Sequence, residues 1–349
     1  MRLSLKLNSV VAALAMALAV LVVPTHSVHA MPNPLAPSGV DVAGHQHPGG
    51  EAIDWNAVAA HGERYAFIKA SEGNGWTNEF YAQDVEAANN AGLLTGAYHY
   101  ARPAEDARAQ ARHFATTLSM SSGTALPPVL DIEVSEGLNP EQLQGWTRDF
   151  LDELKAQTGR TPMIYTYRYF WKDNMANTHE FSEYPLWLAA YQNNAPKPVG
   201  GWDKLSFWQR SDNGRVAGIN TPVDMNIFNG HEGQLASFAA GNLFATGGVL
   251  ELMQGIPAFD ELSVLEQENT ALVLAILAAG VGVAAAPSLI DAAENLGFNS
   301  TDATNIAKTV EHQINSGTLP IEDLQHMAAG DYSIGDLLIL LDNVNKITN

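Results

Sequence analysis

Between positions 39 and 227, short apolar runs rich in β-branched and aromatic residues alternate with longer stretches whose apolar positions return every three or four residues. The runs at 39–42, 65–69, 94–100, 128–133, 163–166, 186–190, 205–209 and 223–227 read as strands. The stretches at 78–91, 104–119 and 139–158 read as amphipathic helices. Eight strands alternating with helices or loops over residues 31–231 predict an α/β fold, a compact (β/α) barrel. In such barrels the chemistry sits at the C-terminal ends of the strands, so the polar residues there are the ones to weigh.

From residue 232 the pattern changes. Aromatic residues nearly disappear, and the segment reads as successive helices at 301–315 ending at Gly317, at 321–329 ending at Gly330, and a last one capped by Ser333. This part carries 15 acidic residues against Lys308 and Lys346. It is expected to be a separate, acidic, all-α domain over 232–349. Residues 269–290 hold no charge and are long enough to span a bilayer. Pro287, the neighbouring glycines and the lack of a basic flank favour a buried helix of a bundle instead.

Charge and cysteine usage change the picture in two ways. With 38 Asp+Glu against 18 Lys+Arg, the net charge of −20 leaves no basic footprint for nucleic acid or anionic lipid. Residues 1–30 read as a secretory signal: Arg2 and Lys6 precede an apolar run at 10–23, and Val28-His29-Ala30 offers a cleavage site. Its removal would take out two basic residues and no acid, moving the charge from −20 to −22. An exported chain without cysteine must be held by packing alone, which suits a large core. The expected location is extracellular or at the cell wall, with no membrane attachment beyond the signal.

Candidate chemistry lies at the strand ends. Pro128-Val129-Leu130-Asp131-Ile132-Glu133 is an apolar strand ending in two carboxylates two residues apart, and strand side chains alternate, so both point one way. Adjacent carboxylates split their titrations, leaving one protonated as a general acid and one ionised, as glycosidic cleavage requires. Asp41 ends the first strand and Asp224 sits in the last, and in a closed barrel these strands are neighbours. Any one of these acids reads equally well as a turn or cap residue. Four of them at the strand ends of one barrel do not.

These residues belong to a longer series. Gly39-Val40-Asp41-Val42, Ile53-Asp54-Trp55, Phe67-Ile68-Lys69-Ala70-Ser71-Glu72-Gly73 and Gly96-Ala97-Tyr98-His99-Tyr100 resemble the ordered motifs of glycoside hydrolase family 25, the Chalaropsis-type lysozymes. The series continues through Asp131-Ile132-Glu133, Met163-Ile164-Tyr165-Thr166, Pro185-Leu186-Trp187-Leu188-Ala189, Phe207-Trp208-Gln209 and Val223-Asp224-Met225-Asn226, covering about 38–230. The resemblance implies an irregular, partly flattened (β/α)8-like barrel that hydrolyses the β-1,4 bond between N-acetylmuramic acid and N-acetylglucosamine in peptidoglycan. It implies Glu133 as the general acid, with Asp131, Asp41 and Asp224 completing the acidic cluster. It also implies retention of configuration, with the substrate acetamido oxygen as nucleophile and Asp131 steadying that group.

Around this cluster Tyr98, Tyr165 and Trp187 are expected to stack on or bond to sugars, with core packing as their other reading. Gln209 is expected to bond sugar hydroxyls or to tie down Asp224. Lys69 and Glu72 read as a structural pair. His45 and His47 lack a third and fourth ligand of convincing spacing, so neither a metal nor an organic cofactor is expected. Two departures from the family pattern are the His47-Pro48-Gly49-Gly50 extension and Tyr167, which stands where relatives often carry a small or amide residue. The rival readings are a hydrolase of chitin-like N-acetylglucosamine polymers and a catalytically idle wall-binding protein. The 232–349 region is expected to bind wall or protein.

Overall fold

The computed structural model describes residues 36–253, 264–282 and 286–348; the signal segment expected at 1–30 lies outside them. The chain runs β1 (Ser38–Val42), α1 (Trp55–His61), β2 (Tyr65–Glu72), β3 (Trp76–Thr77), α2 (Tyr81–Asn90), β4 (Leu94–Tyr100), α3 (Ala107–Leu118), β5 (Pro128–Asp131) and α4 (Pro140–Thr158). It continues through β6 (Met163–Tyr167), α5 (Arg168–Asp173), β7 (Leu186–Ala189), β8 (Phe207–Gly214) and β9 (Val223–Phe228).

Strand order is β1-β9-β8-β7-β6-β5-β4-β2, closed by a parallel β1–β2 pairing, with the two-residue β3 hung on the outer end of β2. This is the closed eight-stranded barrel that the pattern predicts. All pairings among the eight are parallel except those of β9, which is antiparallel to both β8 and β1. Helices cover only part of the ring, since no helix joins β7 to β8 or β8 to β9. Three strands depart from the expected limits by two residues or more, one of them β2, which runs on to Glu72. The ladder of β5 stops at Asp131, two residues before Glu133, and β8 starts at Phe207 and runs on to Gly214.

Strands of a parallel sheet are buried on both faces, and the burial follows that rule: β1, β5, β6 and β7 are buried throughout. The barrel is filled by rings. Phe67 stacks on Trp187 at 4.4 Å and meets Phe207 edge-on at 5.1 Å, while Tyr65 meets Phe207 at 5.1 Å. Room for these rings comes from the strands beside them. Gly39 pairs with Tyr65 and Gly96 with Phe67, and a Cβ on either glycine would lie 2.5 or 2.3 Å from the facing ring.

The outer helices are punctuated by their sequence. Asn139 caps α4 in a capping box with Gln142, Pro140 follows, and Gly159 ends the helix at φ 66°. Between these signals Leu143, Trp146, Phe150, Leu151 and Leu154 form its buried face.

After the barrel come α6 (Glu232–Ala239), α7 (Val249–Met253), α8 (Thr270–Gly280), α9 (Ala286–Leu296), α10 (Ser300–Ser316), α11 (Ile321–Ala329) and α12 (Ile334–Thr348). The all-α character expected here is observed, and these helices and the barrel belong to one compact unit. Phe238 of α6 packs on Phe207 and Phe228, both rings at 5.6 Å, and so closes the lower end of the barrel. The uncharged stretch at 269–290 is divided between α8 and α9, with Leu272, Val273 and Ile276 of α8 fully buried. Among the described residues no helix is long and apolar enough to cross a membrane.

Candidate active site

At the C-terminal ends of the parallel strands lies a groove of about 840 Å³. Asp41 from β1, Tyr98 from β4, Asp131 from β5, Tyr165 from β6, Trp187 from β7, Gln209 from β8 and Asp224 from β9 all line it. Seven of the eight expected site residues therefore meet at one surface. β9 contributes from its first turn because it runs backwards: its start, not its end, is at the mouth. That reversal sets Asp224 directly opposite Asp41 in the β1–β9 ladder.

A hydrogen-bond network orders this side of the groove. Tyr165 donates its hydroxyl to Oε1 of Gln209 at 2.8 Å, and Gln209 Nε2 donates to Asp41 at 3.0 Å and Asp224 at 3.2 Å. Trp187 donates to Oδ1 of Asn226 at 2.8 Å, and Asn226 Nδ2 donates to the same Asp41 oxygen at 2.7 Å. Gln209 therefore does tie down Asp224, and it joins it to Asp41. Asn226, from the same strand as Asp224, is a partner that the sequence reading passed over. Trp187 belongs to core and groove at once, stacked on Phe67 below and edge-on to Tyr165 at 4.6 Å above.

Glu133 stands apart. It is 2% exposed and is not among the residues lining the groove, although Asp131 two positions earlier is. The backbone around it is held between its neighbours, with Ala101 N donating to Asp131 O at 2.9 Å and Ile132 N donating to Tyr165 O at 3.0 Å. Its charge reaches the hydroxyl of Tyr167: burial pushes that phenol well up, and Glu133 adds to the rise.

The opposite wall is cationic and aromatic. Lys69 and Glu72 pair at 2.5 Å, as expected, and Arg102 adds its guanidinium to the same carboxylate. Burial pushes Glu72 up, but Lys69 and Arg102 together outweigh it and hold its carboxyl below the usual range. Lys69 also lies over the rings of Tyr100 at 4.7 Å and Trp76 at 5.1 Å. Trp76 is 47% exposed on the β3 hairpin and lines the groove, a sugar-sized flat surface that the sequence reading missed. Its signal was there in an exposed Trp just past the Lys69–Gly73 motif.

The two histidines of the first loop separate. His45 lines the groove, whereas His47 is buried, its Nε2 bonded to Asp84 at 2.8 Å and its ring stacked on Phe80 at 3.9 Å. The extension it opens is thus pinned to α2. Among the described residues no group of three His, Asp or Glu side chains is placed to hold a metal ion.

A closed barrel with acids and aromatic rings gathered around one groove at its strand ends is the build of an enzyme acting on glycans. The family model for glycosyl hydrolases family 25 matches residues 40–219. The chain is 36% identical over 211 residues to Lysozyme M1 of Streptomyces globisporus, covering 58% of this chain and 70% of that one. It is 32% identical over 218 residues to the N,O-diacetylmuramidase of Chalaropsis sp, covering 58% of this chain and 99% of that one. Among solved structures it is similar to the bacterial lysozyme from Streptomyces coelicolor, with TM-score 0.53, 34% identity, and 58% and 96% of the two chains covered. The chain belongs to glycosyl hydrolases family 25 and is a glycoside hydrolase.

Proposed function

We propose that this enzyme is an exported lysozyme that cuts the β-1,4 bond between N-acetylmuramic acid and N-acetylglucosamine of peptidoglycan. The observation that carries the reading is the convergence of Asp41, Asp131 and Asp224 with Tyr98, Tyr165 and Gln209 on one groove at the strand ends, in a barrel that belongs to glycosyl hydrolases family 25. Export rests on the pattern of residues 1–30.

In this reading Glu133 protonates the leaving glycosidic oxygen while the substrate's acetamido oxygen attacks the anomeric carbon. Asp131 accepts the acetamido N–H and balances the positive charge of the oxazolinium that forms. Glu133, now a carboxylate, takes a proton from the water that opens this ring, so configuration is retained. Asp41 and Asp224, fixed by Gln209 and Asn226, hold the sugar on the far side of the groove, and Tyr98, Tyr165, Trp187 and Trp76 supply its flat contacts.

The test is prolonged digestion of purified peptidoglycan by the full chain and by Glu133→Gln, with mass spectrometry of borohydride-reduced products. Reduced muramic acid ends from the wild type, lost in the variant, support the reading. Reduced glucosamine ends would replace it with a glucosaminidase, and equal products from both proteins would remove Glu133 from the chemistry.

A further inference from the structure

Unlike α6, the last two helices, α11 and α12, are seated on the same end as the groove. Their anchors follow β6 and β7. Tyr169 of α5 donates to Asp323 at 2.9 Å, Tyr332 donates to Asp173, and Arg168 lies 3.5 Å from Asp336. Beyond β7, the amides of Asn193 and Asn194 donate to Glu266 at 3.1 and 3.0 Å. α12 itself lies tight on this surface. A Cβ on Gly335 would be 2.0 Å from the carbonyl oxygen of Tyr191, so the helix backbone rests directly on the chain leaving β7.

Further along α12 the helix reaches the catalytic groove. Asp342 lines it together with Asp131 and Tyr165. Asn343 is 2% exposed, and its side chain bonds the hydroxyl of Tyr167, the same hydroxyl that feels the charge of Glu133. Gln313 of α10 braces the helix there, donating to Leu341 O at 2.7 Å. Glu133, Tyr167 and Asn343 are thus all buried, with Tyr167 interacting with the end of β5 on one hand and with the last helix on the other. The match to the Streptomyces coelicolor lysozyme covers 58% of this chain, about the share that residues 36–231 make up.

We infer that the helical region is a built-in cap: α12, through Asp342 and Asn343, closes the β5–β6 side of the groove over Glu133 and keeps the full chain latent until the helix lifts. The inference rests on Glu133 being the acid of the proposed lysozyme. A general acid must come within hydrogen-bond reach of the glycosidic oxygen, and Glu133, 2% exposed and outside the groove lining, cannot do so in this closed arrangement. The side-chain anchors named above are polar, so lifting the helices trades these bonds for bonds to water, although Tyr169, Tyr332 and Asp336 are themselves buried. The substrate then binds only the open fraction of molecules, which lowers the apparent affinity by that fraction.

Two full-chain variants lift opposite ends of α12. Gly335→Leu drives a side chain into the Tyr191 carbonyl, and Asn343→Glu puts a carboxylate into the buried site against Tyr167, next to Asp342. Each is compared with wild type for kcat/KM on solubilised peptidoglycan and for coupling of Glu133 to an amine by a water-soluble carbodiimide, read by peptide mass spectrometry. The expected result is a protected Glu133 in the wild type, a labelled one in both variants, and a rise in kcat/KM of at least about tenfold. Equal labelling in all three proteins overturns the cap, as does a labelled Glu133 with an unchanged or lower rate beside an active wild type. Should labelling shift as expected while no protein releases reducing ends, the cap stands and the lysozyme reading falls. If one variant does not fold, the other still decides, because the two act at separate ends of the helix.

Discussion

The barrel and the helices that follow it are held by different means. The barrel is filled with large rigid rings whose positions are fixed by glycines on the facing strands, so its interior tolerates one arrangement. The helical region packs smaller aliphatic side chains, such as Leu272, Ile276, Val310 and Leu337, and its described anchors to the barrel mouth are largely a tyrosine–carboxylate pair on each side and an arginine. Rings bury large apolar areas that water cannot replace, while each polar anchor exchanges a bond with water for one within the protein and nets about 1–3 kcal/mol. The difference teaches where to look for opening: the scaffold of the site is fixed by ring packing, and the cap inferred above would part at its polar anchors.

The sharpest way to probe the permanent part is to leave it intact and remove one proton donor. Glu133→Gln is expected to lower the rate of peptidoglycan cleavage by a factor of about 10²–10⁴ with no change in thermal unfolding, measured by product release and by calorimetry. Next in size is the ring core. Phe67→Ala should destabilise the barrel by about 3–5 kcal/mol in denaturant unfolding, since a fully buried ring is lost between Trp187 and Phe207. A comparable loss from a single anchor of the helical region would erase the contrast.

Acid should separate the two parts as well. Burial between Phe114 and Phe150 pulls the His99 imidazole down to about 3, so the folded barrel keeps it neutral while the unfolded chain protonates near 6.5. The unfolded state then binds the extra proton between those values. Stability from this group is present in full above about pH 6.5 and falls as pH drops toward 3, by at most about 1.4 kcal/mol per pH unit. In the helical region the sign is reversed: burial raises the carboxyls of Asp323 and Asp336, so the folded form takes up their protons first and acid relieves a penalty. Hydrogen exchange at pH 7 and pH 5 should show protection falling in β4 and α3 more than in α11. Replacing His99 by Gln should flatten the barrel's response.

The smallest expected effect is at the clamp. Tyr169→Phe and Tyr332→Phe each remove one donor to a carboxylate and should cost about 1 kcal/mol in unfolding. Their activity on peptidoglycan should nevertheless rise, and a fall would mean that the helices assist the groove instead of covering it.

Much of this could be read from the chain because barrel strands carry their own signals. Buried runs such as Val129–Asp131 and the facing acids Asp41 and Asp224 follow from local pattern and closure alone. Helix ends were legible where the residue chemistry is local: α11 spans the expected 321–329, and α10 stops at Gly317 with φ 73°. What stayed hidden depends on residues far apart in sequence. Nothing around Asp323, Tyr332 or Asn343 announces a barrel partner more than 150 positions earlier, because Asp, Tyr and Asn serve any surface. The burial of Glu133 was likewise out of reach, as a strand pattern shows which way a side chain points but not what comes to lie above it. Trp76 was missed because a two-residue strand is too short to show alternation.

The glycine–aromatic pairs at Gly39–Tyr65 and Gly96–Phe67 also bear on how this molecule can change over generations. A side chain at Gly96 collides with Phe67, and a smaller residue at Phe67 leaves a void beside Gly96, so neither step is harmless alone. The two positions are expected to change together, a lineage that alters one carrying a compensating change at the other.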